Sequence, residues 1–299
     1  MSRAEAAAAA REEPDARTEP HPESAQGRLR PFALLGSELG RLFRRGRTIA
    51  MLAALAAVPV LIAVAVRVTN AGGGGRGPAF LGSITHNGLF VAFTALVVCI
   101  PLFLPLTLGV VSGDTVAGEA SHGTLRYLLI APTGRLRLLL VKYAGVIAFA
   151  LAATVTVVLV GVLIGALLFP VGPITLLSGD TVGTAGFVGR TTLMAGYVAM
   201  SLLGFGAIGL FASTLTTVPV GAMAGTVVLA VVSQILDALP QLDWLHPWLF
   251  SHYWLGFGDL LRDPIVWDSY GQNAALQAGY VVVFGGLAYA RFATKDILS

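Results

Sequence analysis

The chain has 299 residues, of which 56% are hydrophobic and only 12% are charged, and its formal net charge at pH 7 is +3. A mean hydropathy of +0.79 is more than a water-soluble domain of this length can expose, which excludes ordinary soluble enzymes and binding domains. We therefore expect an all-α membrane protein, since helices satisfy their own backbone hydrogen bonds in lipid.

The N-terminal region divides into a tail and the start of a membrane domain. Residues 1–30 are rich in Ala, Glu, Pro and Arg and lack apolar periodicity, which predicts a disordered cytoplasmic tail. Residues 31–299 are expected to form one domain. At its start, residues 31–47 place apolar side chains at helical spacing opposite arginines, which predicts an amphipathic helix in the membrane interface. A merely basic flank of the first span is the alternative.

Apolar runs predict six transmembrane helices, because a hydrocarbon core about 30 Å thick needs about 20 apolar residues in a helix. The runs are 48–66, 89–111, 146–168, 191–212, 218–236 and 274–290. Pro101 and Pro105 are expected to bend the second span. With the N-terminus inside, 15 of the 19 Lys and Arg lie on the inner side. Cationic residues resist translocation, so we expect both termini in the cytoplasm, with the protein in a prokaryotic cell membrane.

The connection 112–142 holds the main candidate site. Its candidate residues are Glu119, Gly123, Thr124, Leu125, Arg126, Pro132 and Arg135. Ser121 can cap a short helix, the leucines after it can form an apolar face, and Pro132 can end it. The pattern predicts a short cytoplasmic coupling helix at 121–130 that transmits movement from a partner protein.

The charged residues of this loop allow two interpretations. Glu119 and Arg126 are expected to make charged contacts with the partner. In the alternative, Glu119 and Arg135 are ordinary interface anchors and the Gly-Thr pair is a simple turn. Lys142 is expected to be a snorkelling anchor at the membrane surface.

The segment 239–270, before the last span, contains all four tryptophans of the chain. Such rings concentrate at the head-group level of membranes, so we expect an ordered re-entrant or interfacial segment at the outer leaflet. His246 and His252 lie in it, but two histidines of uncertain geometry do not predict a metal site.

Polar groups inside the spans are few. Gln234 and Asp237 form a candidate membrane polar site, because intramembrane ionisable groups usually mark function. A structural role for Asp237 at the interface, beside Pro240, is the alternative. Cys99 lies among Val and Ile and is expected to be an inert buried thiol. We expect no catalytic residue, no metal and no cofactor in this chain.

Several glycines match motifs but lie within predicted spans. One set has G-x-G-x-x-G spacing, yet no strand precedes it, so helix packing is favoured over dinucleotide binding. Two further pairs have the G-x-x-x-G spacing of helix contact faces. The first set is Gly204, Gly206 and Gly209, and the pairs are Gly161 with Gly165 and Gly221 with Gly225.

The two lysines, Lys142 and Lys295, are not preceded by the glycines of a phosphate-binding G-x-x-x-x-G-K-[ST] loop. We therefore do not expect an enzyme. If nucleotide drives the process, ATP is expected to bind and be hydrolysed on a partner subunit.

The whole pattern resembles the ABC-2 family of ABC-transporter permeases. The resemblance rests on the interfacial helix, the six spans, the end 291–296 and a loop reading Gly118-Glu119, Gly123-Thr124-Leu125, Pro132, Arg135 and Lys142. It implies two permease subunits, identical or sister chains, docked through the loop on two ABC ATPase subunits. Membrane lipids, and no nucleic acid, are the other partners expected.

The sequence therefore predicts the permease subunit of an ATP-driven exporter. The alternative is a self-contained secondary transporter, which would bind coupling ions at broken helices near the midplane. Gln234 and Asp237 are the residues that keep this alternative open.

Overall fold

The computed structural model describes residues 31–71, 87–121, 134–175 and 178–294. The predicted tail, 1–30, lies outside this part. In chain order the helices are α1 (Pro31–Arg44), α2 (Gly46–Ala71), α3 (Phe90–Val98), α4 (Leu104–Asp114), α5 (Ala117–Ser121), α6 (Arg135–Leu168), α7 (Thr184–Ser201), α8 (Leu203–Leu215), α9 (Pro219–Asp237) and α10 (Asp268–Thr294). Two short strands pair antiparallel between α6 and α7, β1 (Ile174–Thr175) and β2 (Thr181–Val182). Three 3-10 turns lie between α9 and α10, at Pro240–Leu242, His246–Trp248 and Gly256–Leu261.

Five stretches of the described residues are helical, long and apolar enough to cross a membrane. They are Gly46–Thr69, Phe90–Asp114, Arg135–Leu168, Ala185–Leu215 and Pro219–Asp237. The chain is thus a helical membrane protein, as predicted. The sixth predicted span falls in α10, which has 27 residues but is less apolar than the other five, so the count of six is not confirmed.

The second span is continuous but irregular. Pro101 has no amide hydrogen, so the regular hydrogen-bond ladder cannot pass through it. Residues Cys99–Phe103 form a π-helix between α3 and α4 at this point. The amide of Gln234 on α9 donates to the Pro101 carbonyl oxygen at 2.6 Å. The proline at 101 therefore marks a helix irregularity that a neighbouring helix stabilises.

The fourth span is broken, which the sequence did not predict. Helix α7 ends at Ser201 and α8 begins at Leu203. The Gly204 amide at the start of α8 donates to Gln277 Oε1 of α10 at 3.1 Å. Asn273 donates to the Ser201 hydroxyl at 2.7 Å, and Trp254 Nε1 donates to the Ser201 carbonyl at 3.1 Å. A buried polar network thus satisfies the groups that the break releases.

Glycines allow close helix packing at the positions predicted for one of the two G-x-x-x-G pairs. A methyl group on Gly161 would lie 2.6 Å from the Cα of Ala92, and one on Gly165 would overlap the backbone of Gly88. The contact face between α6 and α3 is therefore confirmed. The other pair, Gly221 and Gly225, meets no atom within 4 Å, so within the described part of the chain α9 does not use these glycines for packing.

The three glycines of α8 also serve packing, as predicted. Added methyl groups would meet Gln277 at Gly204, Val146 at Gly206 and Ser112 at Gly209. Helix α8 therefore lies at the centre of the bundle, in close contact with α10, α6 and α4.

The segment 239–270 packs against the helices, while its predicted position at the outer leaflet stays a prediction. Its buried side chains include Phe250, Trp254 and Phe257, whereas Trp244 and Trp248 are exposed. Arg190 of α7 donates to the carbonyl oxygen of Leu260 at 2.9 Å. The segment is therefore held against the bundle by one apolar face.

Candidate functional site

The loop 112–142 is described at its two ends. Residues 122–133 lie outside the described part, and with them all of the predicted coupling helix except Ser121, as well as five candidate residues. These are Gly123, Thr124, Leu125, Arg126 and Pro132. The described ends are α5 and the first turns of α6, which we call the loop base. The predicted loop is helical from Arg135 onward, where α6 begins.

A buried lysine links three helices at the loop base. The Lys142 ammonium on α6 lies 2.6 Å from Glu119 Oε1 on α5 and 2.9 Å from Glu38 Oε1 on α1. The Lys142 side chain is only 4% exposed and that of Glu119 14%. We call these three residues the Lys142 junction. It joins α1 to both sides of the loop base.

Glu38 is held in its charged form by the junction. Burial raises the pKa of the Glu38 carboxyl, but the charge and hydrogen bond of Lys142 lower it, as do the charges of Arg41 and Arg45. The result is a pKa below the usual value of 4.5. The attraction to neighbouring cations therefore outweighs desolvation at this carboxylate.

A serine from a distant helix caps the start of α5. The amides of Val116 and Ala117 donate to Ser213 Oγ at 2.9 and 2.8 Å. The first amides of a helix have no partner within it, so a hydroxyl placed here satisfies them. Ser213 comes from the end of α8 and is completely buried. Sequence reasoning missed it, since the capping residue is about 100 residues away from the helix it caps.

Arg135 attaches the other side of the loop base to the last helix. Its Nη1 donates to the carbonyl oxygens of Phe292, at 3.2 Å, and Ala293. These carbonyls belong to the last turn of α10, where they lack helical partners and where a cation is favoured by the helix dipole. The loop base is thus tied to α1, α8 and α10.

A second ion-pair cluster lies beside the junction. Asp114, the last residue of α4, accepts hydrogen bonds from Arg45, at 3.2 Å, and from Arg47. Gly118 makes room for this carboxylate, because a methyl group there would lie 2.6 Å from Asp114 Oδ1. Two guanidinium groups therefore share one carboxylate oxygen.

The structure changes the role expected for Lys142, which does not snorkel, because its ammonium is buried between two carboxylates. Glu119 Oε1 faces Lys142 within the chain, and its contact with a partner protein stays a prediction. This geometry agrees with the anchoring alternative for Glu119 and Arg135.

Gln234 and Asp237, the candidate membrane polar site, each contact a different neighbour. Gln234 donates to the Pro101 carbonyl, as described above, while Asp237 Oδ1 lies 2.6 Å from His252 Nδ1. Both side chains therefore connect α9 to neighbouring segments. The rings of His246 and His252 are tilted by 31° with centroids 5.9 Å apart, and no group of three or more His, Cys, Asp or Glu among the described residues could hold a metal ion.

Comparison with known families corrects the resemblance stated above. A family described as "Protein of unknown function (DUF2705)" matches residues 60–298, and no ABC-2 domain is found. The ABC-2 assignment is therefore wrong. It relied on a few Gly, Thr, Pro and basic residues that are common in loops next to membranes. No curated protein matches the chain. Because the match covers most of its length, the chain belongs to the DUF2705 family, whose function is unknown.

Proposed function

We propose that the chain is the membrane-spanning permease subunit of an ATP-driven exporter, whose ATPase is a separate protein that contacts the loop 112–142. The loop, α1 and both termini lie in the cytoplasm in this proposal, and α1 lies along the inner surface of the cell membrane. Two ATPase subunits and a second permease copy or sister chain complete the transporter.

The Lys142 junction is the observation that carries the proposal. A loop that receives force from a partner moves the transmembrane helices only if its ends are tied to them. Lys142 ties the loop base to α1, and Arg135 ties it to α10. Movement of the loop would therefore displace helices from both ends of the sequence and bias the equilibrium between inward-open and outward-open states.

The proposed orientation is also supported by charge. The cluster of Arg45, Arg47 and Lys142 belongs to the region that holds most cationic residues of the chain, as expected for the cytoplasmic side. In contrast, the segment 239–270, which includes the exposed Trp248, contains one Lys or Arg, Arg262, and would face outward.

A site-specific photo-crosslinker tests the proposal. With the crosslinker at position 124, we expect a product that contains a Walker-type ATPase and whose yield changes with ATP. The matched control carries the crosslinker at position 248 and should give no such product. Absence of an ATPase product at position 124 would contradict the proposal.

Ion-driven transport by the chain alone would favour the secondary-transporter alternative. In that case the purified chain in vesicles should dissipate an imposed proton or sodium gradient, and Asp237→Asn should abolish the effect. Gln234 and Asp237 both have partners within the chain, so we favour structural roles for them.

A further inference from the structure

A cavity of about 890 Å³ opens beside the Lys142 junction. It lies between α1, the start of α2, the turn from α4 to α5, and α6. Its lining includes three arginines, Arg41, Arg45 and Arg47, and three apolar side chains, Leu42, Val111 and Val146. The cavity therefore offers both cationic and apolar contacts.

The cavity lining carries one excess positive charge. Its four cationic side chains are the three arginines and Lys142, and its three acidic ones are Glu38, Asp114 and Glu119. Lys142 is paired with the two carboxylates of Glu38 and Glu119. Arg45 and Arg47, in contrast, share the single carboxylate of Asp114. The excess positive charge is therefore on the arginine side.

Arg45 and Arg47 retain the capacity to bind an anion. Each guanidinium has five N–H donors in a planar fork, and the contact with Asp114 uses Nη1 of Arg45 and Nη2 of Arg47. Their side chains are 52% and 44% exposed. Such forks bind phosphate oxygens bidentately. Because the lining has one excess positive charge, it favours a ligand of charge −1, such as a phosphodiester, over a ligand of charge −2, such as a phosphomonoester.

The position of the cavity explains why the ligand should be an amphiphile. It lies where three spanning segments, α2, α4 and α6, have their charged ends, which is the level of lipid head groups in a membrane. We propose that the cavity binds a phospholipid whose head group has a net charge of −1, from a phosphodiester without a compensating cation. Arg45 and Arg47 hold the phosphate, and the lipid chain starts along Leu42 and Val146.

The test uses the full-length chain purified in a neutral detergent, and lipid binding is measured by the shift in thermal unfolding. Phosphatidylglycerol should bind at least about tenfold more tightly than zwitterionic phosphatidylcholine, since each cation near a membrane surface adds roughly 1 kcal/mol, or about fivefold in affinity. Equal binding of the two lipids would overturn the proposal. Deacylated glycerophosphoglycerol tests a soluble ligand, and binding as tight as that of the lipid would also overturn it.

Three variants and one control test whether the preference for phosphatidylglycerol over phosphatidylcholine arises at the cavity. Arg45→Gln with Arg47→Gln should reduce the preference for phosphatidylglycerol to near one, whereas Asp114→Asn should raise it several-fold because it removes the competing carboxylate. Gly145→Phe keeps every charge and adds a ring to the cavity lining, since Gly145 lines the cavity and an added Cβ there has only Leu42 within 4 Å, at 4.0 Å. It should weaken phosphatidylglycerol binding. The control, Arg262→Gln, removes an exposed arginine that pairs with Asp259 elsewhere on the surface. The proposed site would be contradicted if phosphatidylglycerol binding and its preference over phosphatidylcholine were unchanged in all three variants. Equal loss of the preference in the Arg262→Gln control would also contradict it.

Discussion

Gly161 and Ala92 lie so close that a methyl group on Gly161 would stand 2.6 Å from the Cα of Ala92. The obstacle is backbone, which cannot rotate away as a flexible side chain can. The approach of α6 to α3 thus depends on glycine at this position and, one turn later, at Gly165.

Gly165→Ala should therefore destabilise the protein, by about 1–3 kcal/mol, the range for overpacking a tight contact. The measurement is the free energy of unfolding in mild detergent. Gly225→Ala is the matched control, because it has the same spacing motif and no atom within 4 Å of the added methyl group. It should be neutral or slightly stabilising, since alanine favours helix over glycine. Similar losses for both variants would contradict the assigned contact.

Lys142→Met should destabilise the loop base. It leaves the carboxylates of Glu38 and Glu119 without their shared cation, and we expect a loss of about 2–3 kcal/mol. This is below the range for a fully buried pair, because both acids keep some contact with water. Thermal unfolding of the purified chain measures the loss.

Two further variants define the cause of the Lys142 effect. Arg262→Met removes an exposed pair and should cost only about 0–1 kcal/mol. Adding Glu38→Gln and Glu119→Gln to Lys142→Met should restore part of the stability, because the uncompensated charges are gone. No recovery in the triple variant would indicate that lost packing, and not charge, is responsible.

Acid should weaken the junction through Glu38. Its pKa in the folded protein is lowered, so its carboxylate adds stability above the usual value of 4.5, and this stability is lost as the pH falls through the folded value. The difference in unfolding temperature between wild type and Glu38→Gln should thus be largest near neutral pH and shrink below pH 4.5. In a Lys142→Met background the difference at neutral pH should disappear or change sign, because the Glu38 carboxylate has lost its main cation. A difference that grows on acidification would have the wrong sign for this mechanism.

Gln277→Leu should release the segment 239–270 from the bundle. The variant removes the acceptor of the Gly204 amide and the donor to the Phe250 carbonyl, at 3.0 Å. Unsatisfied buried groups of this kind cost about 1–3 kcal/mol each in water-soluble proteins and less in membranes, so we expect about 2 kcal/mol in total. Hydrogen exchange should also increase around residue 250. Gln272→Leu, on the exposed side of the same helix, is the control and should change neither measurement.

The spans could be predicted from sequence because lipid imposes a length and an apolar composition on any helix that crosses it. The break after Ser201 could not, since no proline marks it and its partners, Asn273 and Gln277, come from another helix. The same holds for Ser213, whose importance depends on a contact across the fold. Local patterns therefore revealed the helices, while the contacts that join them required the structure.

The anchoring of Arg135 has a consequence for biosynthesis. Its acceptor at Phe292 follows 157 residues later in the chain. The arginine emerges from the ribosome long before α10 exists, so the loop base can be completed only after the last helix has been made. A chain that stops before α10 would lack this attachment, and its loop base would be held by the contacts with α1 and α8 alone among those described here.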